Sequence, residues 1–140
     1  MSARPREFLD TNILVYAFSV DPRSTIAEAV LARGCVVGLQ GLNEFANVAR
    51  RKLMMTWLEI RQALTAIRAL CPTVAPLDIE THEAGLGLAE RLGFSPFDAL
   101  MVAAALRAGC DVFWSEDPQN EMMVDGTLRI RDPFDAGTDF

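Results

Sequence analysis

Four acidic residues stand where a carboxylate can do chemistry. Asp10 directly follows the apolar run Glu7-Phe8-Leu9, and Asp117 follows Val112-Phe113-Trp114-Ser115, so both fall where a buried strand ends. Asp98 sits three residues after Ser95, at the opening of an apolar helix, and Glu44 is embedded in Leu42-Asn43-Glu44-Phe45 near another helix start. Each has a plainer use. Asp10 and Asp117 suit turns, Asp98 suits a capping box with Ser95, and Glu44 suits a solvated helix face. Taken together they suggest more. Two unit charges ~4 Å apart repel by about 4 kcal/mol at an effective dielectric near 20. Protonation or a bound cation relieves that repulsion. A hard divalent ion, Mg²⁺ or Mn²⁺, takes oxygen ligands and keeps several waters, and such a site suits phosphodiester hydrolysis. It needs no histidine pair or cysteine nucleophile, and the chain has a single histidine, His82.

The elements that must position these acids are legible from periodicity. Cys35-Val36-Val37, Thr73 to Leu77, Asp111 to Trp114 and Leu128 to Ile130 read as further strands after Glu7-Phe8-Leu9. Helices are expected from Asp21-Pro22 to Gly34, over Leu42 to Leu53, from the capping box Thr56-Trp57-Leu58-Glu59 to Pro72, over Glu80 to Leu92, and from Ser95-Pro96 to Gly109. Ile13 to Phe18 continues apolar as a loop or helix. Strands alternating with helices of ten or more residues point to an α/β fold with a mainly parallel sheet flanked by helices. In such sheets ligands bind beyond the carboxyl ends of the strands, where Asp10 and Asp117 lie.

Composition bounds the function. The 140 residues, 51% hydrophobic and 23% charged, suffice for one domain over 1–140 and exclude global disorder. The longest apolar run, Ala99 to Leu106, is too short to span a bilayer, and no signal-peptide pattern follows Met1, so a cytoplasmic protein is expected. Cys35, Cys71 and Cys110 are widely spaced, which suits free buried thiols rather than disulfides or zinc. The 13 basic and 19 acidic residues give a net charge of −6 and exclude a broad basic nucleic-acid platform. Residues 1–52 nonetheless carry seven basic and five acidic groups.

The motifs resemble those of PIN domains, especially VapC-like toxin ribonucleases. Phe8-Leu9-Asp10-Thr11-Asn12-Ile13-Leu14-Val15-Tyr16-Ala17 is similar to the opening motif, and Leu42-Asn43-Glu44-Phe45 to the second acidic motif. Ser95-Pro96-Phe97-Asp98-Ala99-Leu100 resembles the third, Ser115-Glu116-Asp117 the fourth, and Asp132-Pro133-Phe134 the closing segment. The resemblance implies a Rossmann-like α/β/α sandwich, RNA cleavage dependent on Mg²⁺ or Mn²⁺, a homodimer, and an antitoxin partner. It assigns metal binding to Asp10 and Asp98, with Glu44 and Asp117 completing the acidic pocket. Thr11, Asn12 and Ser115 would orient those carboxylates. Two positions depart from the pattern. Asn120-Glu121 stands where many relatives have Asp or His followed by Gly, and Gly38 where they often have a hydroxyl residue.

Other residues admit two uses. Arg50-Arg51-Lys52 follows Glu44 by about two helical turns and would either hold RNA phosphates or offset a helix C-terminus. Trp57 and Trp114 are expected in the core rather than stacked on bases, and His82 on a solvated helix face. The rival functions are a Mg²⁺-dependent phosphotransfer or phosphatase domain and a non-catalytic PIN-like interaction module. Asn12 weakens the first, which calls for an Asp there, and the four acids weaken the second.

Overall fold

A computed structural model describes residues 4–116 and 121–135. In chain order the elements are β1 (Glu7–Leu9), α1 (Thr11–Ala17), α2 (Ser24–Leu31), β2 (Val36–Gly38), α3 (Leu39–Arg51), α4 (Trp57–Leu70), β3 (Val74–Ala75), α5 (Ile79–Leu92), α6 (Pro96–Arg107), β4 (Val112–Trp114), β5 (Met123–Val124) and β6 (Leu128–Arg131). The strands form one sheet in the order β3-β2-β1-β4-β6-β5, parallel except for the β5–β6 pair.

Alternation along the strands divides the core. Leu9, Val37 and Trp114 point to one face, where Ile13, Leu14, Val30, Phe45, Ile60 and Ile67 from α1 to α4 cover them. Phe8, Val36 and Phe113 point to the other and pack under Leu88 of α5 and the Ala99–Ala105 stretch of α6. The result is the expected three-layer sandwich. Phe8 and Phe113 stack across the β1–β4 pair with ring centroids 5.5 Å apart. The chain runs from β1 to β2 to β3 with its helices on one face, then returns past β1 to β4 with helices on the other. A constant crossover hand requires that change of face. The reversal leaves a crevice at the carboxyl ends of β1 and β4, so the sheet order alone designates a site.

Local chemistry sets the ends of the helices. Thr56 accepts from the backbone of Glu59 at 3.1 Å while Glu59 accepts from Thr56 at 2.8 Å, the reciprocal box read from the sequence. α3 starts at Leu39, three residues earlier than periodicity suggests, because Gly38 passes directly from strand into helix with no loop. The third expected strand shrinks to Val74–Ala75, since Pro76 follows. Glu121, at φ 70°, holds a left-handed conformation that favours glycine, and it is tethered by Arg129 and Arg131 at 3.2 Å each. No helix among the described residues is long and apolar enough to cross a membrane.

One charge lies inside the first core. Glu7, 6% exposed, shares the Leu9 face of β1. Its carboxylate accepts Arg33 Nη2 at 2.8 Å and Nε at 3.1 Å, and also the indole N–H of Trp114. Removing Glu7 takes this acceptor from the buried Trp114 indole N–H and from the half-buried Arg33 guanidinium. Glu7→Ala is expected to cost about 3–5 kcal/mol in urea unfolding, and Glu7→Gln, which keeps an acceptor for the indole, clearly less.

Candidate functional site

Asp10 is the N-cap of α1, and its position is fixed from two sides. Its Oδ1 accepts the backbone N–H of Thr11 at 2.7 Å, and its Oδ2 accepts the Ser115 hydroxyl at 2.7 Å. Its own N–H donates to the Trp114 carbonyl at 3.0 Å, which draws the ends of β1 and β4 together. Burial pushes its carboxyl from 3.8 up to about 6; the two hydrogen bonds pull it back, while the charges of Asp98 and Glu44 add to the rise.

Glu44, on α3, reaches the same place because α1 and α3 pack closely. A Cβ on Gly41 would lie 3.2 Å from the Met101 side chain and 3.7 Å from the Thr11 hydroxyl. The Thr11 hydroxyl donates to Glu44 Oε2 at 2.6 Å. Asp98 occupies the third position of α6, where its N–H donates to Ser95 Oγ at 3.3 Å. Only this half of the expected capping box forms, so the Asp98 carboxylate is left exposed at the mouth of the site. Asp10, Glu44 and Asp98 line one open cavity of about 360 Å³ with Thr11, Asn12, Val15, Tyr16, Val48 and Lys52. Asp117 lies outside the described residues.

The arrangement differs from the expected one in two ways. Among the described residues no three carboxylates close into a cage able to hold an ion alone. Burial, rather than mutual repulsion, is the first cause of the Asp10 shift. The donor set still fits a hard divalent ion. It is all oxygen, it includes a deeply set carboxylate, and no ion pair among the described residues engages Asp10, Glu44 or Asp98. An ion that keeps several waters needs no closed protein cage. Cysteine chemistry has no place here: burial pushes Cys35 up to about 12 and Cys71 and Cys110 up to about 11, as inert thiols.

Sequence reasoning singled out Asn12 and Ser115 but passed over the group they lead to. Asn12 brackets the backbone of Glu116, accepting its N–H at 3.3 Å and donating to its carbonyl at 3.4 Å, and also donates to Ser115 Oγ at 3.4 Å. The Glu116 side chain accepts the Tyr16 hydroxyl at 2.6 Å and Arg23 Nε at 2.8 Å. Arg23 lies over the Tyr16 ring at 5.0 Å, and Phe134 meets that ring edge-on at 5.2 Å. The closing segment thus braces Tyr16, Tyr16 braces Glu116, and the braced end of β4 presents Ser115 to Asp10. Tyr16 was readable, since it follows Asn12 by four positions and shares its helix face. Arg23 carried no local signal.

The basic run divides. Lys52 lines the acidic cavity, Arg51 is exposed, and Arg50 turns away to the Met55 carbonyl at 3.1 Å and lies over Trp57 at 5.2 Å. Trp114 is buried as expected, but Trp57 is 59% exposed, which corrects the core assignment. It stands at the first position of α4, where the core-facing stripe begins only at Ile60. His82 lies exposed on α5, as expected.

A comparison with curated proteins finds no match. Solved structures resemble the fold over most of its length. A toxin-antitoxin complex from Klebsiella pneumoniae matches with TM-score 0.71 at 16% identity, covering 91% of this chain and 98% of that one. VapC20 of Mycobacterium tuberculosis, a sarcin-ricin loop cleaving toxin, matches with TM-score 0.63 at 18% identity, covering 80% and 90%. VapBC2 from Rickettsia felis, bound to a promoter DNA fragment, matches with TM-score 0.63 at 16% identity, covering 90% and 98%. At these identities the likeness speaks for the fold. The sequence model of the PIN domain matches residues 8–121, and with the acidic crevice at the β1–β4 switch point it establishes that this chain belongs to the PIN domain family.

Proposed function

We propose that the protein is an endoribonuclease that hydrolyses RNA phosphodiester bonds with Mg²⁺ or Mn²⁺, and that it is the toxin of a toxin–antitoxin pair. The observation that carries this reading is the cavity lined by Asp10, Glu44 and Asp98, whose deepest carboxylate is buried without a cationic partner among the described residues. Asp10 and Asp98 would hold the ion, with Glu44 and Asp117 completing the acidic set. Bound there, the ion would supply Lewis acidity toward the phosphate and lower the pKa of water.

The chain's own residues prepare the rest. Ser115 and the Thr11 amide hold both oxygens of Asp10 in a single orientation, and the Thr11 hydroxyl does the same for one oxygen of Glu44. Lys52, on the rim, offsets the negative field that would otherwise repel a polyanion. That VapC20 is a sarcin-ricin loop cleaving toxin, and that other structural neighbours are toxin-antitoxin complexes, supports a ribonuclease and an antitoxin partner for this chain. A second copy is the further partner we propose. Leu77, Ile79 and Phe97 form an exposed apolar surface beside Asp98 that a homodimer would cover. The three unpaired thiols support a reducing, cytoplasmic setting.

Wild-type protein with Mn²⁺ is expected to cleave single-stranded RNA, and EDTA to stop it. Asp10→Asn and Asp98→Asn should each lose at least about 100-fold in kcat with the fold retained, beyond the loss of about 10-fold expected of Ser115→Ala or Tyr16→Phe. Equal cleavage by all variants would refute the assignment. No cleavage of any RNA would favour the interaction module.

Proton linkage gives a second test. The folded pKa of Asp10 is raised, so the folded state binds this proton more tightly than the unfolded chain does. The resulting stabilisation is full below the unfolded value of 3.8 and is lost as pH rises through about 6. The span corresponds to about 3 kcal/mol. Metal-free Asp10→Asn should therefore melt higher than the metal-free wild type at pH 7.5, and the difference should vanish near pH 4. Mn²⁺ binding to the wild type, followed by calorimetry, should weaken below about pH 6 with proton release.

A further inference from the structure

The net charge of −6 conceals a basic band. Between Phe45 and Leu77 the chain carries Arg50, Arg51, Lys52, Arg61 and Arg68 against a single acid, Glu59. The Glu59 carboxylate is occupied in capping the Thr56 N–H. None of the five cations forms an ion pair among the described residues. Within this band stands Trp57, the more exposed of the two tryptophans, with Arg50 lying over its ring at 5.2 Å. Arg61 follows Trp57 by four positions and so shares its face of α4.

Arg50, Arg51 and Lys52 are consecutive, so their side chains fan around the last turn of α3. Lys52 opens onto the acidic cavity and Arg50 onto Trp57. Glu44, Val48 and Lys52 are spaced four apart, so the cavity's carboxylate lies about 12 Å along the helix from its lysine. A chain of cations therefore leads from the acidic cavity, around the end of α3, to an aromatic face.

We propose that Trp57, with Arg51, Lys52 and Arg61, is a docking platform for single-stranded RNA. A base would stack on the Trp57 indole while the three cations meet the flanking phosphates. Stacking needs an exposed π-face beside unpaired cations, and every base offers one, so the platform would hold a strand with little regard to sequence. Charge decides between occupants: five cations in the band against one occupied carboxylate match a polyanion better than an apolar protein surface. The inference rests on the ribonuclease reading only for the identity of the polymer, and it adds a site that starts at Lys52 on the rim of the acidic cavity and runs outward to Trp57.

The test is a fluorescence titration in EDTA, where binding is read without cleavage, using an oligouridylate of about a dozen nucleotides, within the range such surfaces cover. Trp114 is 2% exposed, so quenching by the strand reports Trp57. Saturable quenching is expected, with log affinity falling against log salt at a slope of about −2, from roughly −0.7 for each of three phosphate contacts. Followed by a labelled strand, Trp57→Ala should weaken binding by about 10-fold and Trp57→Phe by much less. Arg51→Ala or Lys52→Ala should each flatten the slope by about 0.7. Unchanged affinity in Trp57→Ala overturns the platform even if RNA is cleaved with Mn²⁺. Quenching by an acidic peptide but not by RNA assigns the surface to a protein partner and overturns it likewise. Binding as expected, without cleavage in Mn²⁺, leaves the platform standing and removes the nuclease.

Discussion

The hydrogen bond from Ser115 to Asp10 joins the two strand ends on which the site is built, and most of the architecture serves to make it possible. β1 and β4 are separated by about a hundred residues of sequence, yet their register sets Leu9 beside Trp114 and so places the next residues, Asp10 and Ser115, together. Parallel pairing makes this work, because both strands deliver their carboxyl ends to the same edge. The helices between them supply the other carboxylates, α3 from one face of the sheet and α6 from the other.

Burial gives that bond its meaning. A carboxyl in water ionises near 4, but one placed under α1 and α3 resists ionisation until pH rises to about 6. The fold therefore tolerates Asp10 at a cost to its own stability, which the Ser115 and Thr11 hydrogen bonds offset only in part. Glu7 is the opposite case. It is buried in the same layer but fully met by Arg33 and Trp114. One acid is met by its neighbours, whereas the other has no ion-pair partner among the described residues, a contrast within a single core.

Much of this was legible in the residues themselves. The five periodic strands, the capping box at Thr56, Asp10 at a strand end and Asp98 at a helix start followed from local rules, because alternation, caps and turns are local physics. Asp98 was correctly placed at a helix start, yet its exposure depended on Glu-type reciprocity being out of reach for the shorter aspartate side chain. β5 escaped notice because two residues carry no period. The Tyr16–Glu116–Arg23 group was hidden for a different reason. Tyr16 and Arg23 both meet Glu116 from the far end of the sequence, and no local rule pairs an arginine before α2 with a glutamate after β4. Trp57 was misassigned because an indole at a helix start looks apolar in sequence whichever way it points.

The margins of the sheet set a final constraint. Its outermost strands, β3 and β5, are two residues each, and Pro76 follows the first directly. Among the described residues, neither border offers more than two residues of unpaired backbone on which an extra strand could be templated. A protein that docks on this chain would therefore meet helices, and its affinity would rest on side-chain anchors rather than on a ladder of main-chain bonds.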